Sequence, residues 1–519
     1  MEGEKSQRVR WQWIAAIFGL AIICRLVLLL SMGRLDGDAV IWVFPAAEAL
    51  GNGEWAKGFH PAIPPLYPIL VALGRLIVGD VEIGARAASL VGGVLAGVPL
   101  FLLVRRSFGD RVGIAAIFLL AIHPFFSRSS VLARADTIGA FFFVTSAWLA
   151  WRLLQEPSAR SGVALGIVSG LGFLVRPKGI ILPILAILWL AASRKTGASK
   201  IRLAGVVGTV APLAAILLLQ SLWIHHRTGV WTITPKLAVN LEYGEGRADG
   251  RSWWSLTEDG EEVALFRQIE EGEYSAGGAA LRALSNPVAT VKRVGANIGR
   301  FLAYLPDLIG YPNLLLLPLC VAGFRDPERR PMLVFLLAVI GFYFAALALF
   351  HPARRMIVLP IPLAVVFPAM GLARLSEWAS GARRAGAMRG LVWGVVLAAT
   401  LPFLGRTFVK YGGWWSPLRV ASSFVRAGTE DDHRARIMAF PADLGFFAGG
   451  KTVFFPRDTY ERTLRYARLH GVQYIAYEVG MAKEDRPEFE ALAKEDADLD
   501  PMGRISGPVT IHLYRLKER

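Results

Sequence analysis

Three aspartates stand at the edges of apolar segments. Asp36 and Asp38 follow the first apolar run of the chain, and Asp136 opens a later one. A carboxylate beside hydrocarbon is costly to keep, and it can accept a proton, so such residues are candidates for chemistry. Asp38 and Asp136 also precede or begin segments with helical periodicity, where an acidic side chain caps the helix or meets its dipole. Capping is therefore the structural alternative to a catalytic role.

The chain is too apolar for a soluble enzyme. Of its 519 residues, 54% are hydrophobic, and the mean hydropathy is +0.44. The formal charge of +16 would also fit a nucleic-acid-binding protein, but Lys and Arg collect in short connections between apolar runs, as the positive-inside rule requires. The composition predicts a helical, multi-pass membrane protein with no nucleic-acid partner.

The apolar runs predict about eleven membrane spans. They are Trp11–Met32, Glu82–Val104, Val112–Phe126, Asp136–Leu154, Ser161–Val175, Lys178–Ala192, Leu203–Ile224, Asn313–Gly323, Pro331–Phe350, Met356–Ala373 and Leu391–Leu404. Alternate connections are basic, which predicts a cytoplasmic N-terminus and a C-terminus on the outer, periplasmic side. The outer side then carries a first loop (residues 33–81), a long loop (residues 225–312) and the polar tail.

Several cations break the charge rule on that outer side. Arg176 and Lys178 flank a proline between two predicted spans, and Arg354 and Arg355 precede another span. Long basic side chains at such positions often extend to lipid headgroups, which is the alternative to a binding role. Because the positive-inside rule does not explain basic residues on the outer side, we expect these four cations to bind an anion.

The first outer loop resembles that of a known family. Asp38 is followed by Trp42, then by a helical stretch of period 3.6 that we expect to lie on the membrane with Asp38 as its N-cap, and then by Gly51-Asn52-Gly53 and Pro64-Pro65-Leu66-Tyr67-Pro68. This order resembles the first periplasmic loop of the GT-C glycosyltransferases, in particular the group of the protein O-mannosyltransferases and the lipid A aminoarabinose transferases. Where that family often has Lys before Pro-Pro, this chain has Ile63, with His60 nearby.

The resemblance implies a GT-C fold and a role for each candidate. Asp38 is implied as the base that accepts the acceptor's proton, and Asp136 as a second catalytic carboxylate. The leaving polyprenyl phosphate needs fixed cations, and the implied ligands are Arg354, Arg355, Arg176, Lys178, Arg134 and His351. The family's Arg-Tyr element leaves open which of Arg354 and Arg355 is the ligand, because Met356 replaces the Tyr. His60, Tyr67 and Asp36 are implied as acceptor or loop residues.

No metal ligand set has zinc-type spacing in this sequence. A divalent ion held by Asp38, Asp136 or His60 is an alternative, and we expect no obligatory cofactor.

The tail differs in composition from the rest of the chain. We expect a transmembrane domain over residues 1–405 and a small periplasmic α/β domain over residues 406–519. Strands are predicted at Arg436–Phe440, Lys451–Phe455, Val472–Tyr477 and Val509–Tyr514, and helices at Asp458–His470, with Asp458 as N-cap, and Arg486–Lys494. This domain has no catalytic motif, so packing or acceptor binding is expected of it.

The sequence as a whole favours an inverting glycosyltransferase of the inner membrane. It would move a sugar from a polyprenyl-phosphate donor to a protein, lipid or glycan acceptor, in contact with membrane lipids. The alternatives are a transporter or flippase of a lipid-linked saccharide and a membrane scaffold. A transporter typically has charges near the midplane of two matching halves, whereas the charges here gather at one surface.

Overall fold

The fold is taken from a computed structural model of the chain. It describes residues 2–32, 35–192, 199–236, 240–241, 256, 259–260, 285–350, 352–380, 385–412, 415–428, 435–440, 442–479, 488–507 and 510–517. His351 and most of residues 237–284, including the Gly-rich and acidic stretches of the long loop, lie outside these ranges.

Helices dominate the structure up to residue 428. Before residue 230 they are α1 (Glu2–Ser31), a π-helical turn (Ala39–Val43), α2 (Phe44–Gly51), α3 (Trp55–Gly58), α4 (Leu66–Val78), α5 (Val81–Leu95), α6 (Gly97–Phe108), α7 (Asp110–Ile122), α8 (Pro124–Ser129), α9 (Asp136–Gln155), α10 (Ala159–Val175), a 3₁₀ turn (Pro177–Ile180), α11 (Ile181–Ala192) and α12 (Ser199–Thr228). From residue 287 onward they are α13 (Pro287–Ala303), α14 (Leu305–Ile309), a 3₁₀ turn (Tyr311–Leu316), α15 (Leu317–Cys320), a 3₁₀ turn (Val321–Arg325), α16 (Arg330–Ala348), a 3₁₀ turn (Arg354–Val358), α17 (Ile361–Ala364), α18 (Val366–Ser380), α19 (Ala385–Gly412) and α20 (Trp415–Ala427).

Within the described residues, six helices are long and apolar enough to cross a membrane. They are Trp11–Ser31, Val81–Phe108, Asp136–Gln155, Lys200–Thr228, Arg330–Ala348 and Gly386–Thr407. Shorter apolar helices cover Ala159–Val175 and Pro177–Ala192, where two further spans are predicted. The protein is therefore a multi-pass, α-helical membrane protein.

The predicted span Asn313–Gly323 is wrong as a continuous helix. This stretch folds as short α and 3₁₀ turns between Tyr311 and Arg325. Pro312 and Pro318 fall at the first turns of two of these pieces. Since proline has no N–H and clashes with the preceding turn, it interrupts a long helix at such positions.

Small residues set the packing of α10 against α12. A Cβ on Gly162 would overlap the backbone of Gly205, and a Cβ on Gly166 would overlap the carbonyl oxygen of Thr209. The two helix backbones therefore touch, as is common where membrane helices associate through small residues. This contact matters for the site because α10 ends at Val175, one residue before Arg176.

The tail contains a five-stranded sheet of order β2-β1-β3-β5-β4. Strands β1, β2 and β3 are parallel, and β5 pairs antiparallel with β3 and β4. The elements are β1 (Arg436–Phe440), α21 (Asp443–Phe447), β2 (Lys451–Phe454), α22 (Tyr460–Leu469), β3 (Tyr474–Glu478), α23 (Phe489–Glu495), β4 (Leu499–Ile505) and β5 (Ile511–Leu516). The predicted small C-terminal α/β unit is thereby confirmed.

Two details of the tail differ from the prediction. Strand β4 was not predicted, because Pro501 and Gly503 argue against a strand, and here they mark an irregularity in an edge strand. Asp458 is not the N-cap of α22, which is Thr459. The Asp458 carboxylate instead accepts a hydrogen bond from Leu256 N at 3.0 Å and pairs with Arg462 at 3.0 Å.

The sheet unit packs on the first loop, residues 33–81. Leu35 and Phe44 of that loop share one buried cluster with Phe447 and Ile511 of the tail. Leu35 N also donates a hydrogen bond to Asp443 Oδ2 at 3.2 Å. The tail and the first loop therefore lie at the same end of the helical bundle.

The α10–α12 contact yields a stability prediction. We expect Gly166→Ala to lower the free energy of unfolding by ~1–3 kcal/mol, because a Cβ there forces two backbones apart. Gly341→Ala in α16 is the matched control, since a Cβ there meets nothing within 4 Å. Thermal unfolding in one detergent compares the two variants, and equal midpoints would contradict the packing argument.

Candidate active site at one end of the bundle

The residue pair at the centre of the site is Asp38 and Arg355. Arg355 Nη1 donates a hydrogen bond to Asp38 Oδ2 at 2.5 Å, across 317 positions of sequence. The Asp38 side chain is 56% exposed and that of Arg355 38% exposed, so the ion pair is open to water. The first loop and the turn before α17 therefore meet at one accessible point.

Asp38 does not act as a helix cap. It stands at the N-cap position of the turn Ala39–Val43, but its side chain makes no capping hydrogen bond. Its own N–H donates to Asp36 Oδ1 at 2.9 Å. The predicted capping role is thus wrong, and the carboxylate points to a cation instead.

The charge around Asp38 is strongly positive. The surrounding protein displaces bulk water from this accessible carboxyl, and that desolvation alone would raise its pKa, but the charges of Arg355, Lys236 and Arg176, with the hydrogen bond from Arg355, hold the pKa below its usual range. The partner responds in the opposite sense, since the charge of Asp38 raises the pKa of Arg355 against the effect of burial. Both groups are therefore ionised at neutral pH.

Asp36 forms a second ion pair, next to the Asp38–Arg355 pair. It is 7% exposed, and its Oδ2 accepts a hydrogen bond from Arg134 Nε. Arg134 lies in the turn before α9 rather than on the helix, so it faces Asp36 and not Asp136. Asp36 thus connects the first loop to the α8–α9 connection and orients the backbone of Asp38.

Asp136 forms the third pair. It is the first residue of α9 and is 4% exposed. Arg176 Nη2 lies 2.7 Å from its Oδ1, whereas its Oδ2 has no hydrogen-bond partner among the described residues. The positive end of the helix dipole also stabilises the charged carboxylate in this first turn. One oxygen of Asp136 is therefore occupied and the other is available.

Two lysines complete the cluster. Lys178 follows Arg176 in the 3₁₀ turn, with Nζ 5.9 Å from the centroid of the Tyr343 ring. Lys236, from the long loop, was missed in the sequence analysis. Burial and the nearby charges of Arg176 and Arg355 lower the pKa of Lys236 to about 8, although Asp38 and Asp136 oppose this shift. A signal was present, because Lys236 is one more basic residue on the predicted outer side.

Not every candidate reaches the cluster. Arg354 Nε and Nη2 donate to Asp307 at 2.6 and 2.5 Å, so this guanidinium faces away from Asp38. His60 is half-buried, with Nδ1 accepting from Ala62 N at 3.1 Å and its ring beside Trp42.

Tyr67 joins the first loop to α5. It is 2% exposed, and its hydroxyl contacts Ser89 Oγ at 3.0 Å and donates to Ala85 O at 3.3 Å. Its hydroxyl is therefore used where α4 packs on α5.

Five cations and three carboxylates thus share one end of the bundle. They are Arg134, Arg176, Lys178, Lys236 and Arg355 with Asp36, Asp38 and Asp136. The excess of positive charge suits a phosphate group. Among the described residues, no three His, Cys, Asp or Glu side chains come close enough together to hold a metal ion.

Comparison with known proteins gives sequence matches over part of the chain. Residues 60–223 match the family of dolichyl-phosphate-mannose-protein mannosyltransferases. That range includes Asp136 and Arg176 but not Asp38, Lys236 or Arg355. The undecaprenyl phosphate-alpha-4-amino-4-deoxy-L-arabinose arabinosyl transferase of Pseudomonas aeruginosa is 28% identical over 181 residues, which are 33% of this chain and 32% of that protein. The aligned region thus spans about a third of the curated relatives.

Solved structures match over nearly the whole chain. The ArnT of Cupriavidus metallidurans, bound to undecaprenyl phosphate, has a TM-score of 0.55 at 14% identity and covers 97% of this chain and 98% of that one. The oligosaccharyltransferase AglB of Archaeoglobus fulgidus has a TM-score of 0.58 at 15% identity and covers 93% of this chain and 71% of that one. The chain therefore shares the fold of ArnT and of AglB over nearly its whole length, as the resemblance of the first loop led us to expect.

Proposed function

We propose that the protein is an inverting glycosyltransferase that takes a sugar from a polyprenyl-phosphate donor and transfers it to an acceptor hydroxyl or amine. The observation that carries this proposal is the accessible Asp38–Arg355 pair within a cluster of excess positive charge. A base and phosphate-binding cations are the two groups that such a transfer needs. Relatives and structural neighbours named for undecaprenyl and dolichyl carriers support the same donor class.

The donor phosphate would bind to Arg355, Arg176, Lys178 and Lys236. Arg355 is paired with Asp38 before the donor arrives, and the donor phosphodiester, whose negative charge is shared by two oxygens, competes for the same guanidinium. When the phosphate binds Arg355, Asp38 loses its strongest cation and becomes a better base. Donor binding would thereby switch on the base.

The transfer itself is a single displacement. The acceptor O–H or N–H gives its proton to the Asp38 carboxylate while the oxygen or nitrogen attacks the anomeric carbon. The bond from that carbon to the phosphate oxygen breaks, and its electron pair stays on the phosphate. The products are the glycosylated acceptor, the polyprenyl phosphate and protonated Asp38, and the cations replace a general acid.

Asp136 would have a supporting catalytic role. Its Oδ1 holds Arg176 at 2.7 Å, and its Oδ2, without a partner among the described residues, is available to a sugar hydroxyl. An unpaired buried carboxylate oxygen is costly, which is consistent with a group that gains its partner when substrate binds.

An apolar groove next to the cluster supports a polyprenyl carrier. The groove has a volume of about 610 Å³ and lies between α3 and the outer end of α12. It shares Pro65, Leu174 and Gln220 with a smaller cavity that reaches Pro177, between Arg176 and Lys178. Its remaining lining residues are Trp55, Ala56, Phe59, Ile216, Leu219, Trp223, His226 and Arg227. An isoprenoid chain in this groove would end at the cations.

The cluster would face the periplasm, across the inner membrane from the N-terminus. The basic connections support this orientation. The contact between the tail and the first loop is consistent with both lying on the outer side.

Transfer can be tested with purified protein in lipid nanodiscs. Labelled undecaprenyl-phosphate donors carrying aminoarabinose or mannose cover the two sugars named for the relatives. We expect Asp38→Asn to lower kcat by about 10²–10⁴-fold, because the base is lost. Glu54→Gln on the same loop is the matched control, since Glu54 pairs only with the exposed Lys57 among the contacts described.

Two outcomes would overturn the proposal. One is equal turnover by Asp38→Asn and the wild type. The other is movement of the intact labelled carrier across a vesicle membrane without cleavage, which is the behaviour of a flippase.

Lys236 yields a pH prediction. Its pKa of about 8 means that the ammonium is charged below pH 8 and neutral above it, while Asp38 stays ionised throughout. If the charge binds the donor phosphate, kcat/KM for the donor falls as the pH rises through 8. Lys236→Arg keeps the charge and should flatten this limb, whereas Lys57→Ala, on an exposed part of the first loop, should keep it. A limb unchanged in Lys236→Arg would exclude Lys236 as its source.

A further inference from the structure

The segment that carries Arg355 is held from outside the site. This segment, residues 349–358, connects α16 to α17, and among its described residues Arg354–Val358 form a 3₁₀ turn. Asn297 of α13 is 4% exposed, and its Nδ2 donates to the carbonyls of Ala348 at 2.9 Å and Phe350 at 2.6 Å. The start of the segment is thereby fixed to α13.

A second contact that fixes the segment is made by Arg354, the neighbour of Arg355. Asp307 of α14 is 8% exposed and accepts two hydrogen bonds from Arg354, at 2.6 and 2.5 Å. The Arg354 guanidinium also lies 5.1 Å from the centroid of the Phe125 ring. A carboxylate this buried is costly without a partner, and a two-point contact with Arg fixes orientation as well as distance.

A third contact fixes the segment at Met356, the residue after Arg355. Tyr343 of α16 is fully buried, and its hydroxyl donates to the carbonyl of Met356 at 2.6 Å. Fixed points thus lie on both sides of Arg355.

The geometry of the turn transmits these contacts. In a 3₁₀ turn, successive side chains are about 120° apart, so Arg354 and Arg355 point in different directions. When Arg354 is fixed on Asp307, the Arg355 side chain is directed at Asp38. Free rotation of this turn would move the Arg355 guanidinium away from the cluster.

We infer that Asp307 and Asn297, through Arg354 and the 349–358 segment, are positioning residues that hold Arg355 ready for the donor phosphate. This inference rests on the proposed function for the identity of the ligand. It assigns Arg354 to positioning and Arg355 to phosphate binding. It also explains why α13 and α14 of the long loop matter although neither contributes to the charge cluster.

Helix α13, which carries Asn297, is itself packed against the helical bundle. Val288, Val291 and Leu302 are exposed apolar residues on α13, while Asn297 and Phe301 are buried against α16. The contacts of Asn297 and Phe301 with α16 fix α13 to the bundle, so the segment that carries Arg355 is held against a helix that is itself packed.

The test measures binding of undecaprenyl phosphate alone, without turnover, to wild type and variants in nanodiscs. We expect Asp307→Asn and Arg354→Lys each to weaken this binding by roughly 10- to 100-fold, because the guanidinium of Arg355 is displaced. The same Asp307→Asn change in an Arg355→Ala background should have little further effect, since its target is absent. Asp326→Asn, in the Asp326–Arg329 pair, is the matched control and should bind as wild type does.

A second measurement does not depend on the ligand. Phenylglyoxal modifies accessible arginines, and mass spectrometry reads the extent at each site. We expect Asp307→Asn to increase modification of Arg355, because the pair with Asp38 opens. The thermal midpoint of each variant shows that it is folded.

The outcomes separate this inference from the proposed function. Wild-type binding and Arg355 modification unchanged in Asp307→Asn would overturn the positioning role, as would an undiminished effect of Asp307→Asn in the Arg355→Ala background. A wild type that binds undecaprenyl phosphate but cleaves no donor would overturn the proposed function, while the positioning role would still be decided by the binding and modification data.

Discussion

The structure depends on ion pairs between segments that are far apart in the chain. Asp36 pairs with Arg134, Asp136 with Arg176, and Asp38 with Arg355. Each pair joins two different connections at one end of an apolar bundle. Because charge is expensive to leave unpaired beside hydrocarbon, these pairs determine how the connections can be arranged, and the helices between them supply the distances.

Burial divides the pairs into two kinds. The carboxylates of Asp36, Asp136 and Asp307 are almost fully buried, so breaking one of these pairs would leave an uncompensated charge away from water. The Asp38–Arg355 pair is open to solvent, where an ion pair contributes little to stability and exchanges partners easily. The buried pairs thus form a rigid frame, and the exposed pair is the one at which we propose that a phosphate binds.

The two large polar segments each support one side of the exposed pair. The C-terminal sheet packs on the first loop, and Asp443 binds the backbone of Leu35, three residues before Asp38. Helices α13 and α14 of the long loop hold the segment that carries Arg355. In this view neither segment needs a catalytic motif of its own, because each one fixes the position of a residue for which we propose a role in the transfer.

Much of the fold follows from local pattern alone. Apolar runs and basic connections predicted a multi-pass helical protein, and alternation in the tail predicted four of the five strands within a few residues. Hydropathy and periodicity are summed over many residues, so they survive errors at single positions. They failed where proline breaks a run, at Pro312 and Pro318, and where Pro501 and Gly503 mask an edge strand. The residues of the site could be predicted only in part, because Lys236 and Asp307 follow no spacing rule.

Residue types and local order alone therefore determined the membrane class, the likeness of the first loop to the GT-C transferases, and a set of carboxylates and cations on one side. Tertiary structure decided which of them meet. Arg354 and Arg355 are adjacent and chemically identical, and no local pattern distinguishes the one that binds Asp307 from the one that reaches Asp38. That choice depends on contacts between residues tens to hundreds of positions apart, which a linear pattern does not contain.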